Sequence, residues 1–447
     1  MIVKNREELI TSNQRVAAVE IIEAGISRVL PSNLVRESVQ YDSGQKRLSV
    51  DGHKYDLSKG RIFVVGGGKA SGAMAVELEK ILGPASITAG IVNCKSAEHG
   101  TQRIRVVRAG HPVPDAAGVE GVREMLSMKA RYAVAKDDLV INLVSGGGSA
   151  LLPCPVSGVT LEDKQVMTQL LLGCGADIKE INSVRKHLSL TKGGGLAGFL
   201  APARVVSLII SDVVGDDPDV IASGPAVPDA STYADALHVL HKYGLLDKAP
   251  QAAVDFLRRG CAGLEEETPK RLRNCTNHVI GNNRMALQAM AEKAVALGIR
   301  PRIVTSEMTG GTAEYAYGMA ARVKEGRYSG LGALLIGGET APALPENSGK
   351  GGRNQHYAAL SMLAMQGFTP PWLVASVGTD GSDFLPEVAG AMVDDRSLHE
   401  ARAAGLDVED YIARFDSNTL FTRMGRSLII TGPTGTNVSD ILLYLLG

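Results

Sequence analysis

Short apolar runs, each closed by glycines and followed by a helical repeat, punctuate the chain. Residues 62–72 read IFVVGGGKASG, residues 139–150 read LVINLVSGGGSA, and residues 333–340 read ALLIGGET. An unalternating apolar run of this length predicts a strand buried on both faces. Further strands are predicted at 87–92, 104–108 and 205–211, with the first run occupying 61–65. Helical spacing predicts helices at 6–30, ending at Pro31, and at 71–82, 118–132 and 161–172. The polar stretch 260–277 (GCAGLEEETPKRLRNCTN) carries charges, a proline and no apolar period. After it the alternation resumes, with strands predicted at 278–280, 302–305, 332–336, 372–377 and 427–431, and helices at 284–297, 313–324 and 354–365. Strands alternating with helices predict an α/β protein with a mostly parallel sheet. The polar stretch divides it into domains at 1–260 and 275–447, and no short-period repeat is present.

Composition narrows the function. A chain of 447 residues exceeds the ~250–300 at which one core stops growing, in keeping with two domains. Glycine occurs 51 times, above its usual ~7%. The net charge of −1 gives no electrostatic footprint for nucleic acid. The start, MIVKNREELI, lacks the apolar run of a secretion signal, and no stretch approaches the ~20 apolar residues of a membrane helix. The five cysteines (94, 154, 174, 261 and 275) form no CxxC pair and read as buried, reduced thiols. A cytoplasmic protein is expected, without nucleic-acid or membrane partners; a homo-oligomer is compatible with the sequence.

A strand ending in glycines lets backbone approach a ligand, and the following helix start offers N–H groups to an anion. Gly66-Gly67-Gly68-Lys69 satisfies neither familiar fingerprint. The P-loop pattern fails at Phe63 and Ala70, and GxGxxG fails at Ser71. The acidic ribose partner expected ~20 residues later is replaced by Asn93-Cys94-Lys95. The turn therefore suits a phosphate near Lys69, or else is a tight connection with a solvated lysine. Ser145-Gly146-Gly147-Gly148-Ser149 is not a GxSxG nucleophile elbow, which argues against a hydrolase and favours anion contact through N–H and hydroxyl groups. Asp212 closes the strand VVSLIIS, as a general base, a Mg²⁺ ligand or an N-cap; Asp216 and Asp217 read as turn residues. The third glycine turn supplies Gly338, Glu339 and Thr340, and is followed by Gly351, Gly352, Arg353 and Asn354 at a helix start. Asp380 ends another strand. His111, in GHPVPD, reaches the same crevice, whereas His238-x-x-His241 lacks the HExxH glutamate and reads as a solvated face.

The ordered series VVGGGKASGAMA, RAGHPVPD, LVSGGGSALL, INSVRKHLS, KGGGLA, SDVVGDDPDVIASGP, GGET, GKGGRNQHYAAL, GTDGSDF and TGPTGTNVSDI resembles the two-domain glycerate 2-kinases whose C-terminal part is the MOFRL domain. The resemblance runs from Gly66 to Ile441 with no departure at the positions that matter. It implies a Rossmann-like N-terminal domain, a smaller α/β C-terminal domain and an active site in the cleft between them. It implies transfer of the ATP γ-phosphoryl group to the 2-hydroxyl of D-glycerate with Mg²⁺. By resemblance the catalytic residues fall on Lys69, Asp212 and Arg353. His111 would join Lys69 and Arg353 on the substrate, the glycine turns would hold the nucleotide, and Asp212 and Asp380 the metal. Two rivals are an NAD(P)H-dependent hydroxypyruvate reductase and a non-catalytic sugar-acid or nucleotide sensor. The broken fingerprint opposes the first. The strand-end carboxylates oppose the second, since a plain anion binder would avoid them.

Overall fold

The computed structural model describes residues 1–447. The chain divides into two units, Pro31–Ile280 and the paired segments Met1–Leu30 with Gly281–Gly447.

The unit Pro31–Ile280 opens with a helix, Pro31–Ser38, and an antiparallel meander of β1 (Val39–Asp42), β2 (Arg47–Val50) and β3 (His53–Asp56). Asp51 and Gly52 both have positive φ (45° and 79°), as a two-residue type I′ hairpin requires. Its main sheet contains β4 (Ile62–Gly67), β5 (Ile87–Cys94), β6 (Ile104–Arg108), β7 (Leu139–Ser145), β8 (Arg204–Ile210) and β9 (Cys275–Gly281) in the order β6-β5-β4-β7-β8-β9. The pairings among β4, β5, β6, β7 and β8 are parallel. β4 and β7 are buried along their whole length, because helices cover both faces of such a sheet. From β4 the chain winds outward through β5 and β6, then returns to β7 on the other side of β4. The carboxyl ends of β4 and β7 therefore form the switch point where open α/β sheets bind ligands.

Beyond this sheet lies a helical layer of Leu161–Gly173, Ile178–His187, Tyr233–Lys242 and Gln251–Cys261, packed around Leu171, Val184, Leu240 and Leu257. Capping boxes start three of these helices: Thr160 with Asp163, Asp177 with Glu180, and Thr232 with Asp235. Each satisfies N–H groups that the helix itself cannot, fixing where the helix begins.

The other unit carries a mixed sheet of β10 (Pro301–Met308), β11 (Ala333–Gly338), β12 (Trp372–Gly378), β13 (Gly390–Asp394), β14 (Leu428–Ile429) and β15 (Asp440–Leu446), in the order β10-β11-β15-β12-β13-β14. Only the β10–β11 pairing is parallel. β15 is central and antiparallel to both neighbours, so its first residue lies beside the carboxyl ends of β11 and β12: Asp440 pairs with Gly338 and with Gly378. The core gathers Trp372, Phe421 and Tyr357, whose hydroxyl meets that of Tyr444 at 2.8 Å.

Two expectations about organisation differ from the structure. The division falls at Ile280, not within 260–277, because residues 275–281 form β9, the edge of the first sheet, and do not open the second domain. Residues 1–30 belong with the C-terminal segment. Their single predicted helix is two, Arg6–Leu9 and Asn13–Arg28, the second capped by Ser12. Helix Asn13–Arg28 packs on helix Asn283–Ala296, where a Cβ on Gly25 would lie 2.6 Å from Met290 Cγ. Buried Arg15 reaches the Asp394 carboxylate (2.6 Å) and the Arg426 carbonyl (2.7 Å), and the Thr436 hydroxyl donates to the Val29 carbonyl (2.6 Å). All five cysteines are free; Cys94 and Cys154 are buried as expected, whereas Cys174 and Cys275 are half-buried and Cys261 is exposed. No helix is long and apolar enough to cross a membrane.

Candidate active site

In the unit Pro31–Ile280 the first two glycine turns interlock. Lys69 N–H donates to the Gly146 carbonyl (2.8 Å), and the Ser145 hydroxyl accepts from Ala70 N–H (2.9 Å). A Cβ at position 68 would lie 2.2 Å from Ser145 Oγ, so glycine is what lets the two turns approach. Gly147 sits in the left-handed region (φ 78°), and a Cβ there would fall 2.8 Å from the His111 ring and 3.4 Å from Lys69 Cγ. Lys69, Gly68, Gly146, Gly147 and His111 thus converge at the switch point. Asp212 stands two residues past Ile210, the strand partner of Ser145, on the neighbouring strand end.

The expected polar contacts do not all face a ligand. Ser145 is fully buried, and its hydroxyl shapes the Gly68–Ala70 turn. Ser149 Oγ pairs with Ser223 Oγ (2.9 Å), which in turn donates to Asn182 (3.1 Å). Gly66 and Gly67 lie within β4. Gly148 opens a single helical turn, Gly148–Leu151.

The other unit holds the remaining residues. Arg353 starts helix Arg353–Ala364, and its guanidinium forks onto Asp440, Nε to Oδ2 at 2.6 Å and Nη2 to Oδ1 at 3.1 Å. Its Nη1 meets Glu339. These carboxylates hold Arg353 firmly in its charged form, raising an already high pKa despite the cost of burial. Glu339 thus supports Arg353 from the end of the third glycine turn. Thr340 is buried and receives a hydrogen bond from Thr312 (2.9 Å). Gly338 closes β11, and Gly351 and Gly352 lead into the Arg353 helix.

Asp383 serves as that helix's missing cap. Its carboxylate accepts from Asn354 N–H (3.0 Å) and Gln355 N–H (2.8 Å). Burial pushes Asp383 up to about 6 against those hydrogen bonds, with nearby Asp440 adding to the rise. The helix start is thus already occupied by an internal anion. The Asn354 side chain is buried between Asp383 (3.2 Å) and Ser376 (2.5 Å), so it is structural rather than open to a nucleotide. Asp380 accepts from Ser382 N–H and Oγ, both at 2.9 Å. No cluster of three or more His, Cys, Asp or Glu residues is arranged to hold a metal.

Sequence reasoning missed Asp440 as a named site residue and missed a second group of cations. Lys164, Arg185 and Lys192 line a cavity of about 180 Å³ with His111, Gly147 and Ser149. The motifs INSVRKHLS and KGGGLA held part of the signal: an arginine on a short capped helix and a lysine before three glycines.

A glycine-built switch point, a lysine beside it and an arginine oriented by carboxylates define an α/β protein that handles small anions. Comparison with known proteins narrows this class. Residues 17–258 match the family described as "Domain of unknown function (DUF4147)", and residues 332–440 match the MOFRL family. A protein of Agrobacterium vitis named for hydroxypyruvate reductase activity is 40% identical over 87% of this chain and 100% of its own length. The D-glycerate 2-kinase of Thermotoga maritima is 37% identical over 96% of this chain and 97% of its own. A crystal structure of glycerate kinase from Thermotoga maritima superposes with a TM-score of 0.83, at 36% identity, covering 97% of this chain and 99% of that one. The chain belongs to this glycerate kinase family, built from DUF4147 and MOFRL domains.

Proposed function

We propose that this protein is an ATP-dependent D-glycerate 2-kinase, giving 2-phosphoglycerate and ADP. The observation that carries the reading is the match to D-glycerate 2-kinase over 96% of the chain. Phosphoryl transfer demands positioning and charge neutralisation more than covalent chemistry. In this reading Lys69 neutralises charge growing on the transferring phosphoryl group. Arg353, oriented by Asp440 and Glu339, supplies a second fixed cation. Asp212 takes the proton as the 2-hydroxyl oxygen bonds to the γ-phosphorus and the bridge to ADP breaks. The carboxylate oxygens of Asp212 and Asp380 are donors that suit Mg²⁺, which would offset the phosphate charge. The backbone of Gly68, Gly146 and Gly147 bounds the phosphate side. Free cysteines fit a cytoplasmic setting.

The reductase reading finds less support. Ser71, at the third position of the dinucleotide fingerprint, is fully buried, and its hydroxyl donates to the Leu143 carbonyl (2.9 Å). At the end of β5, where a ribose-binding carboxylate belongs, Asn93 donates to the carbonyls of Gly118 and Leu151, both at 2.8 Å. The deciding experiment supplies ATP, Mg²⁺ and D-glycerate in one cuvette, and NADH with hydroxypyruvate in another. ADP release in the first is expected. NADH oxidation in the second, with no ADP release in the first, would establish the reductase.

A further inference from the structure

The cavity beside Gly147 holds more positive charge than the fold requires. Lys164 comes from the capped helix Leu161–Gly173, Arg185 from the capped helix Ile178–His187, and Lys192 from the loop that follows. Lys164 and Lys192 are almost wholly buried, at 9% and 3% exposure. Lys164 Nζ has no hydrogen-bond partner, and Lys192 Nζ donates to the carbonyls of Ser149 (2.9 Å) and Ala222 (3.5 Å). No lining residue is acidic. Buried charges are ordinarily paired, and removing a partner is strongly unfavourable. Three cations gathered without a carboxylate form a site whose counter-ion is a ligand.

Size and position restrict that ligand. The cavity volume is about 180 Å³. It suits an acid of a few carbons and falls below the ~300–1,000 Å³ of pockets for drug-sized ligands. Gly147 lines the cavity and also lies against Lys69, so a ligand seated here adjoins the glycine turns.

We propose that Lys164, Arg185 and Lys192 form the carboxylate subsite for the hydroxy acid, fixing which end of the molecule faces Lys69. The proposal rests on the kinase reading for the identity of the acid, but not for the presence of an anion site. Burial, with a smaller push from Arg185, lowers Lys164 to about 8. Burial, then Lys164 and Arg185, depress Lys192 well below its ordinary value. A bound carboxylate would reverse both effects.

The test compares the full-length protein with Lys164→Met and Arg185→Gln. Charge-assisted hydrogen bonds of this kind amount to about 10- to 100-fold in affinity. Each variant should raise KM for D-glycerate by that factor, and by more than it lowers kcat. The parent's preference for D-glycerate over its uncharged amide should collapse in the same variants, a ratio read within one protein and so independent of how much of it is folded. Thermal stabilisation by D-glycerate, measured without ATP, should be present in the parent and absent in both variants. A kinase-active parent whose variants keep KM, selectivity and stabilisation would overturn the subsite and leave the kinase reading standing. A parent that is no kinase, yet is stabilised by D-glycerate through Lys164 and Arg185, would overturn the kinase reading and keep the subsite. Stabilisation by inorganic phosphate in place of D-glycerate, lost in the variants, would assign the cavity to a phosphoryl group and overturn the carboxylate assignment.

Discussion

A single methyl group at position 147 tests whether the glycine turns position the chemistry. Gly147 has φ 78°, where an L-residue carries a cost of about 1–2 kcal/mol. Its Cβ would also stand 2.8 Å from the His111 ring and 3.4 Å from Lys69 Cγ. The ring contact is closer than real Cβ atoms approach, so His111, Lys69 or the turn must move. Gly158 provides a matched control. Its φ is 81°, with no atom within 4 Å of a Cβ, and it is exposed outside the cavity lining. Gly147→Ala and Gly158→Ala should therefore share the backbone cost and lower the melting temperature by about 2–8 °C, at ~2–4 °C per kcal/mol. Only Gly147→Ala adds a collision. A displacement of ~1 Å at a reacting group costs about 100-fold in rate. In a coupled ADP-release assay, Gly147→Ala should lose about that factor in kcat/KM for D-glycerate, with Gly158→Ala staying within threefold of the parent. Equal losses in the two variants, or full activity in Gly147→Ala, would refute the reasoning.

Three further outcomes follow from the same geometry. Lys69→Ala should lose about 10²–10³ in kcat, the range for removing one preorganised donor, with little change in melting temperature; a folded variant of unaltered rate would leave Lys69 a solvated lysine. Asp440→Asn removes the charge that Arg353 grips through two hydrogen bonds. Losing bonds of this charged kind costs about 1.5–3 kcal/mol, so thermal melting should begin several degrees lower and kcat should fall by more than KM for ATP rises. Lys164 is charged only below about 8, so kcat/KM for D-glycerate should fall as pH rises through that value. Unliganded stability from this group runs the other way: above about 8 the unfolded chain still binds the proton that the folded chain has released, so stability increases toward pH 10.5, and increases less in Lys164→Met, where only Lys192 keeps a depressed value.

How far the chain could be read depended on the range of each interaction. The strand-glycine runs at 62–72, 139–150 and 333–340 are local signals, and each lies at a strand end in the structure, although the third is followed by a loop over 341–352 before the helix at Arg353. The Asp51-Gly52 hairpin is equally local and legible, yet its flanking strands are too polar to stand out as buried runs. β15 could have been read from ILLYLL; nothing near it announces that a C-terminal strand is central to its sheet. The fork of Arg353 on Asp440 spans 87 positions, and the ion pair of Arg15 with Asp394 spans 379. Such pairings arise from topology, because an antiparallel β15 brings its first residue to the carboxyl ends of β11 and β12. The same limit assigned residues 1–30 to the nearer domain in sequence. Asn354 and Ser145 looked like ligand contacts because hydroxyl and amide groups near glycines suit anions. In three dimensions the internal acceptors and donors Asp383, Ser376 and Ala70 N–H claim them first.

The measurement that bears most directly on the central claim is the position of the new phosphate ester. Purified protein with ATP, Mg²⁺ and D-glycerate should yield, by phosphorus NMR, the resonance of 2-phosphoglycerate growing in step with ADP. A product phosphorylated at the 3-hydroxyl, or ADP formed at the same rate without D-glycerate, would contradict the account.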